Sequence, residues 1–558
     1  MKKKISLLTI VCLLLCVLCG CSETLSFVSF NDSIKEFDTS VFYGNVETMR
    51  GADPSLIYVA EKEGDPDSGY YYAYVTGTST INAWRTKDMT NWQYLGAAFR
   101  PDLDTFWGYL NFWAPSVFFD ETDNCYYMYF SASWTKKGTK THYISLAKSN
   151  SPVGGFKAVY NQDSRGIIID APIIDFANVP EDNPLFEYRT SADDYENGYF
   201  GAIDAEPFVD PVDGQKYLVF THDRSGGYNA SSTYVMKMDD WQHPDYSTIT
   251  CITECGKITV GGSETVFEGT VNEGPYMIYH EGLYYLTFSI NSYDSPDYQV
   301  RQAVGHSPMG PFKKVSVEDG GVVITTDNIN IYTNSSGHHS FIWVGDQLYL
   351  AYHTFLNDTD ISESRKIRFD KVSFVTNDKG LPIIYANGPT VTLQPLPDKI
   401  SGLHDYAGEA KITADNLADD GDVYWLNDGT LMMHENSVVK ETRFKEGKSV
   451  ITLTWDDYIA AKCLMIYNSR DYYSTFTCVD NVRLFYEKDA KTGVAETGRL
   501  DFNYDIFAAV DYKCAFAGAS VSIEFNELKI NKLEITISSS KGGNGFAVPE
   551  IAVLGRRA

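Results

Sequence analysis

Three acidic residues stand at the openings of a repeated phrase. They are Asp53 in Ala52-Asp53-Pro54-Ser55, Asp204 in Ile203-Asp204-Ala205-Glu206-Pro207, and Glu273 in Asn272-Glu273-Gly274-Pro275. Two carboxylates flanking one bond are what glycoside hydrolysis needs. One, protonated, gives its proton to the leaving oxygen; the other, ionised, activates water. A third acid nearby raises the pKa of the proton donor by like-charge repulsion. Singly, each residue has a plainer reading. Asp-Pro starts turns. Glu206 shares a strand face with Asp204, so which of the two points inward stays open. It is their joint appearance at matching places in a repeat that points to chemistry.

The elements that must position them are strands. The phrase is a polar or Pro-containing opener, an apolar strand, a turn rich in Asp, Gly or Asn, and a Tyr-rich strand. It starts near Ala52, Trp113, Asp204, Asn272 and Gly337, spacings of roughly 60 to 90 residues that suit propeller blades. Equivalent positions of different blades converge on one axis, so sequence-distant acids share one site. A second echo, Ser149 to Lys157 and His306 to Lys314, follows two of the Tyr-rich strands. Helical periodicity is absent from 44 to 390.

After about 390 the pattern changes. Leu393 to Gly402 has the Pro and Gly of a junction, and the remainder alternates apolar and polar residues as a jelly-roll sandwich does. The expected fold is all-β: a five-bladed β-propeller over 44–392, then a β-sandwich over 393–558. Residues 1–21 read as a signal peptide: Lys2 to Lys4 precede the apolar run Ile5 to Leu18, which is short for a transmembrane helix. It ends at Cys21 in a sequence resembling a bacterial lipobox, so Cys21 is the expected lipidated residue. Residues 22–43 then form a tether. The protein is expected to be exported and anchored to the bacterial cell envelope, periplasmic or at the cell surface.

A net charge of −28 excludes the basic footprint that nucleic acid requires and favours a neutral polysaccharide or oligosaccharide partner. Aromatic residues make up 14%, more than a core alone explains, so Trp84, Trp107 and Trp113 are candidate sugar-stacking platforms. Core packing competes for all three, most strongly for Trp113. His353 and Arg365 are candidate sugar contacts, with stacking and a salt bridge as equally weighted alternatives. Of ten Cys, six lie beyond the signal region; Cys251 and Cys255 could pair across a turn, and none has zinc spacing. The acidic stretch from about Asp170 to Tyr199 could wall off one end of a groove.

These motifs together resemble glycoside hydrolase family 43. The matching residues are Ala52-Asp53-Pro54-Ser55, the phrase Arg85 to Trp92, Trp113-Ala114-Pro115 (with Ser116 where some members have an acid), Ile203-Asp204, Glu273-Gly274-Pro275 and Gly337-His338. The resemblance implies a five-bladed propeller and hydrolysis with inversion. It implies Asp53 as general base, Asp204 as pKa modulator and orienter, and Glu273 as general acid. No cofactor is required. In several members the matching His binds a calcium ion, so the resemblance also implies one structural Ca2+ near His338 on the axis; a hydrogen-bonding role for that His is the competing reading. The expected activity is exo-acting α-L-arabinofuranosidase or β-xylosidase, with endo-arabinanase as the alternative. From another class, the rival is a non-catalytic glycan-binding surface lipoprotein. The C-terminal unit resembles discoidin-like and carbohydrate-binding modules, chiefly through Glu550 to Gly555. Whether it binds glycan or only packs on the propeller stays open.

Overall fold

The Tyr-rich strands read as almost continuous apolar runs because both faces of each are buried. In Cys125–Ser133, Tyr126, Met128 and Phe130 join one hydrophobic cluster while Cys125, Tyr127 and Tyr129 join another. Alternation along the strand thus serves two neighbours at once. That arrangement repeats around a closed ring.

The computed structural model describes residues 28–29, 38–45, 49–133, 142–162, 165, 168–169, 172–174, 180–183, 201–223, 231–254, 256, 258–259, 265–266, 271–326, 334–355, 365–390, 392–434, 438–501, 518–539 and 545–558. The signal peptide with Cys21, Cys255, and most of the acidic stretch 170–199 lie outside the described residues.

Five antiparallel sheets follow one another in the chain, each laid down in sequence order. Blade one is Ser55–Val59, Tyr70–Val75, Ile81–Thr86 and Gln93–Phe99. Blade two is Trp113–Asp120, Cys125–Ser133, His142–Ser149 and Lys157–Ala158. Blade three is Gly201–Val209, Lys216–Asp223, Ser232–Asp240 and His243–Thr253. Blade four is Asn272–His280, Leu283–Ile290, Gln299–Gly305 and Lys313–Lys314, with Val322–Ile324 added at Gln299–Gly305. Blade five is Asn334–Val344, Gln347–Phe355, Lys366–Thr376 and Pro382–Ala386.

A separate apolar cluster fills each junction: blades one and two, two and three, three and four, four and five, and five and one. The last closes the ring by packing Ile342, Tyr349 and Phe369 on Leu56, Tyr71 and Ala73. The strand leading into blade one adds a clasp, since Gly51 N–H donates to Arg365 O (2.9 Å) and Ile367 N–H to Met49 O (3.0 Å). The expected five-bladed propeller is present.

The C-terminal unit is a larger sheet built on two long antiparallel strands, Lys448–Tyr467 and Ser520–Ser538, which shift register around 454–463. With the two-stranded sheet Thr442–Phe444 and Phe546–Val548 it encloses one core of Ile, Leu, Val and Phe. Residues 22–43 do not all behave as a tether. Val28–Ser29 pairs with Ser520–Ser538, and Phe42–Tyr43 pairs with Gln394–Pro395, because Val41 and Phe42 are buried in the seam between the two units. Cys125, Cys251, Cys463 and Cys478 are free thiols. Among the described residues no helix is long and apolar enough to cross a membrane.

Candidate active site

Every blade carries the same irregularity in its innermost strand. Pairing breaks between Trp113 and Ser116, Ile203 and Glu206, Glu273 and Tyr276, and Gly337 and Ser340. In blade one the ladder begins only at Ser55. Two residues before pairing resumes, each strand places a left-handed residue: Asp53 (φ 52), Ala114 (φ 46), Asp204 (φ 57), Gly274 (φ 54) and His338 (φ 43). These are β-bulges, which bend a strand and re-aim its side chains. A non-Gly residue in this conformation costs about 1 kcal/mol or more, so four of the five need compensation.

The compensation comes from polar residues that interrupt the Tyr-rich strands. Thr76, Ser131, Thr221, Ser289 and His353 lie opposite the bulges. Ala114 N–H donates to Thr76 Oγ1 (2.9 Å), Asp204 N–H to Ser131 Oγ (3.2 Å), His338 N–H to Ser289 Oγ (2.9 Å) and Asp53 N–H to His353 Nδ1 (3.3 Å). Each bond runs from one blade to the next, and the last closes the circle. The exception is at blades three and four. Gly274 N–H donates to the Asp204 carboxylate (Oδ2, 3.0 Å), and among the described residues Thr221 Oγ1 has no partner.

The bulges align Asp53 with Asp204, as the repeat suggests. Glu273 stands one residue earlier, beside Gly274 rather than in its place. Gly274 suits its position twice over. Its φ is positive, and a Cβ there would lie 3.2 Å from the His338 ring.

Asp53 is nearly buried and heavily supported. Its Oδ1 lies 3.2 Å from His353 Nδ1, 3.3 Å from Arg365 Nη1 and 3.4 Å from His338 Nδ1, and its Oδ2 accepts from Thr76 Oγ1. Burial alone would raise its pKa, but His338, Arg365 and His353 together hold it well below the usual carboxylate range. Burial and the Arg365 charge push His353 down to about 3, and burial lowers His338. Arg365 is the permanent cation beside Asp53. Glu273 is half-buried, and its Oε1 accepts from Tyr298 Oη at 2.7 Å.

Glu206, the ambiguous neighbour of Asp204, lies two residues past the bulge. Ser116 Oγ donates to its Oε2 (2.6 Å), and burial pushes its pKa up to about 8. Asp53, Asp204, Glu206 and His338 all line one axial cavity. A larger cavity lies at the seam with the sandwich, lined by Asp370, Asp405 and Glu550 among others and by none of the three opening acids.

His353 and Arg365, expected to touch sugar, are placed by the structure against Asp53 itself. The three Trp candidates separate. Trp107 is 1% exposed in the cluster between blades one and two, so it is core and not a platform. Trp84 sits on the third strand of blade one, away from the axis, against Tyr94 and the cluster between blades five and one. Trp113, the one expected to be core, is half-buried and stacks on His142 (centroids 3.6 Å, 16°), directly before the blade-two bulge. Tyr298, Ser289, Ser131 and Thr76 were not singled out in the sequence. The last three had a signal, a polar residue recurring inside an apolar run; Tyr298 had none.

His338, near which one structural Ca2+ is expected, packs against two neighbours. Its Nδ1 faces Asp53 and its ring covers Gly274. Calcium favours oxygen ligands, and among the described residues no group of three or more His, Cys, Asp or Glu could hold a metal ion.

The family model described as Glycosyl hydrolases family 43 matches residues 45–177 and 187–379, more than half of the chain. A β-D-galactofuranosidase of Aspergillus niger is 31% identical over 188 residues, which is 33% of this chain and 46% of that protein. The match thus spans less than half of that relative's length. Among solved structures, a thermostable family-43 glycoside hydrolase is 27% identical, with TM-score 0.47, covering 64% of this chain and 99% of its own. An endo-1,4-β-xylanase of Bacteroides thetaiotaomicron is 24% identical, with TM-score 0.44, covering 62% and 98%.

Proposed function

The chain belongs to glycosyl hydrolases family 43, and from that premise we propose that it is an inverting, exo-acting enzyme that removes terminal α-L-arabinofuranosyl units, or β-xylosyl units, from plant polysaccharide. The observation that carries this reading is that Asp53 and Asp204 line one axial cavity while Glu273 stands next to Gly274, which lines the same cavity and donates to Asp204, and that each acid is held differently. Asp53, kept ionised by Arg365 and two imidazoles, is the base that takes a proton from water as the water oxygen bonds the anomeric carbon. Glu273 is the acid that protonates the departing oxygen. Asp204 orients that acid through the Gly274 amide. Trp113 on its His142 support is a stacking surface for sugar.

Arabinofuranose is placed first. The relative in Aspergillus niger is named for action on a galactofuranoside, also a five-membered sugar ring, so galactofuranosides belong among the substrates tested. Incubating the protein with nitrophenyl α-L-arabinofuranoside, β-D-xyloside and β-D-galactofuranoside, and with arabinans, xylans and galactans, tests the reading. Single-sugar release is expected. Release of longer oligosaccharides favours endo-arabinanase action, and binding without any release favours a non-catalytic glycan-binding lipoprotein. We also propose export and lipid anchoring at Cys21. Cys21→Ala should move the protein out of the membrane fraction.

A further inference from the structure

A buried tyrosine hydroxyl ends on the proton donor, beside a serine whose hydroxyl holds a neighbouring backbone amide. The backbone N–H of His338 can only donate, and it does so to Ser289 Oγ (2.9 Å). The Ser289 side chain also lies near Tyr298. Tyr298 donates to Glu273 Oε1 (2.7 Å). One buried phenol therefore points its hydrogen at one carboxyl oxygen of Glu273.

The tyrosine is held without freedom to move away. It is fully buried, its ring stacks on His353 (centroids 5.7 Å, 14°), and a Cβ on Gly337 would fall 2.3 Å from it. The last contact gives a reason for glycine before His338. Tyr298 also keeps its proton: burial and the neighbouring Glu273 push the phenol well above its ordinary value.

We propose that Tyr298 is a positioning residue for the general acid, occupying Glu273 Oε1 so that the transferable proton resides on Oε2, and stabilising the carboxylate formed when that proton leaves. In the step, the proton passes from Glu273 Oε2 to the glycosidic oxygen, and the C–O bonding pair stays with that oxygen. Glu273 becomes anionic, and Tyr298 retains its own hydrogen. The Tyr298 bond thereby changes from neutral to charge-assisted during bond cleavage, so it favours the transition state over the ground state. The proposal rests on Glu273 being the acid.

The test compares Tyr298→Phe with wild type on two substrates, a linked oligosaccharide that needs protonation of its leaving oxygen and a nitrophenyl glycoside that barely does. Expected is a kcat/KM loss of roughly 10- to 100-fold on the oligosaccharide, the size of one hydrogen bond to a charged group. Loss on the nitrophenyl glycoside should be under about threefold. The alkaline limb of the pH–rate profile should also move to higher pH, because an acid that loses a donor to its ionised form becomes weaker. Replacing Tyr298 by 3-fluorotyrosine, a stronger donor of the same shape, should move the alkaline limb to lower pH, and it serves if Tyr298→Phe does not fold. Equal losses on both substrates with an unmoved alkaline limb overturn the proposal. Glu273→Ala is measured alongside. If it too lacks leaving-group dependence, the acid assignment has failed; if it shows the dependence and Tyr298→Phe does not, only the role of Tyr298 has failed.

Discussion

At four blade junctions a Thr, Ser or His of one blade holds the amide of the bulge in the next. At the junction of blades three and four a carboxylate does so instead. The first arrangement is architectural: neutral side chains satisfy buried amides and keep a strained backbone in place. The second uses the same geometry but puts a carboxyl group beside Glu273, the proposed acid. Repetition builds the ring, and a single departure from it marks where the chemistry sits.

Several substitutions separate these two kinds of junction. The largest effect is expected from the acids themselves. Asp53→Asn and Glu273→Gln should each lower kcat roughly 10²- to 10⁴-fold, the usual span of general acid–base catalysis, with thermal unfolding nearly unchanged. Steady-state rates and a melting curve on the same preparations check both halves. Asp204 should rank next. Asp204→Ala removes the bond to Gly274 and the charge, and should cost roughly 10- to 100-fold in kcat. Asp204→Asn keeps an acceptor and should cost less, so their ratio separates orientation from charge.

The neutral junctions predict effects on stability instead. Ser131→Ala leaves the buried Asp204 N–H unsatisfied and should lower unfolding free energy by about 1 kcal/mol, read from denaturant titration. Thr221→Val removes a hydroxyl that has no partner among the described residues. It should be neutral or stabilising by up to about 1 kcal/mol. Equal losses in these two variants would erase the distinction between the junctions.

The seam between the two units gives a pH dependence. Burial raises Asp370 to about 7 and raises Asp405 and Glu550 in the same direction. The folded state thus keeps protons that the unfolded chain releases above its ordinary carboxylate pKa. Stability should therefore fall as pH rises from about 4 to about 7, by on the order of a few kcal/mol. Melting temperatures across that window test the sign, and Asp370→Asn should flatten the slope.

Much of this was legible in the chain. The repeat exposes the five blades because each must bury two faces with one strand, and that requirement writes Tyr-rich runs into the sequence five times. The polar residues inside those runs are equally visible once the bulges are known. The one-residue offset of Glu273 from Asp53 was not visible, because a bulge changes register without changing composition. Nor was the placing of the tryptophans: Trp107 and Trp113 look alike in sequence, and only their neighbours make one core and the other a surface. Tyr298 stands in a turn-rich stretch, and its meaning comes from contacts made across the blade and into the next. Residues 22–43 look polar enough to be free, yet Val41 and Phe42 at their end are buried in the seam.

The central claim is that Asp53 activates water on one side of the sugar while Glu273 protonates the leaving oxygen on the other. Proton NMR of the first sugar released, recorded before mutarotation, tests this directly. Inversion predicts that the initial product has the anomeric configuration opposite to that of the substrate. Initial product with the substrate's own configuration would contradict it.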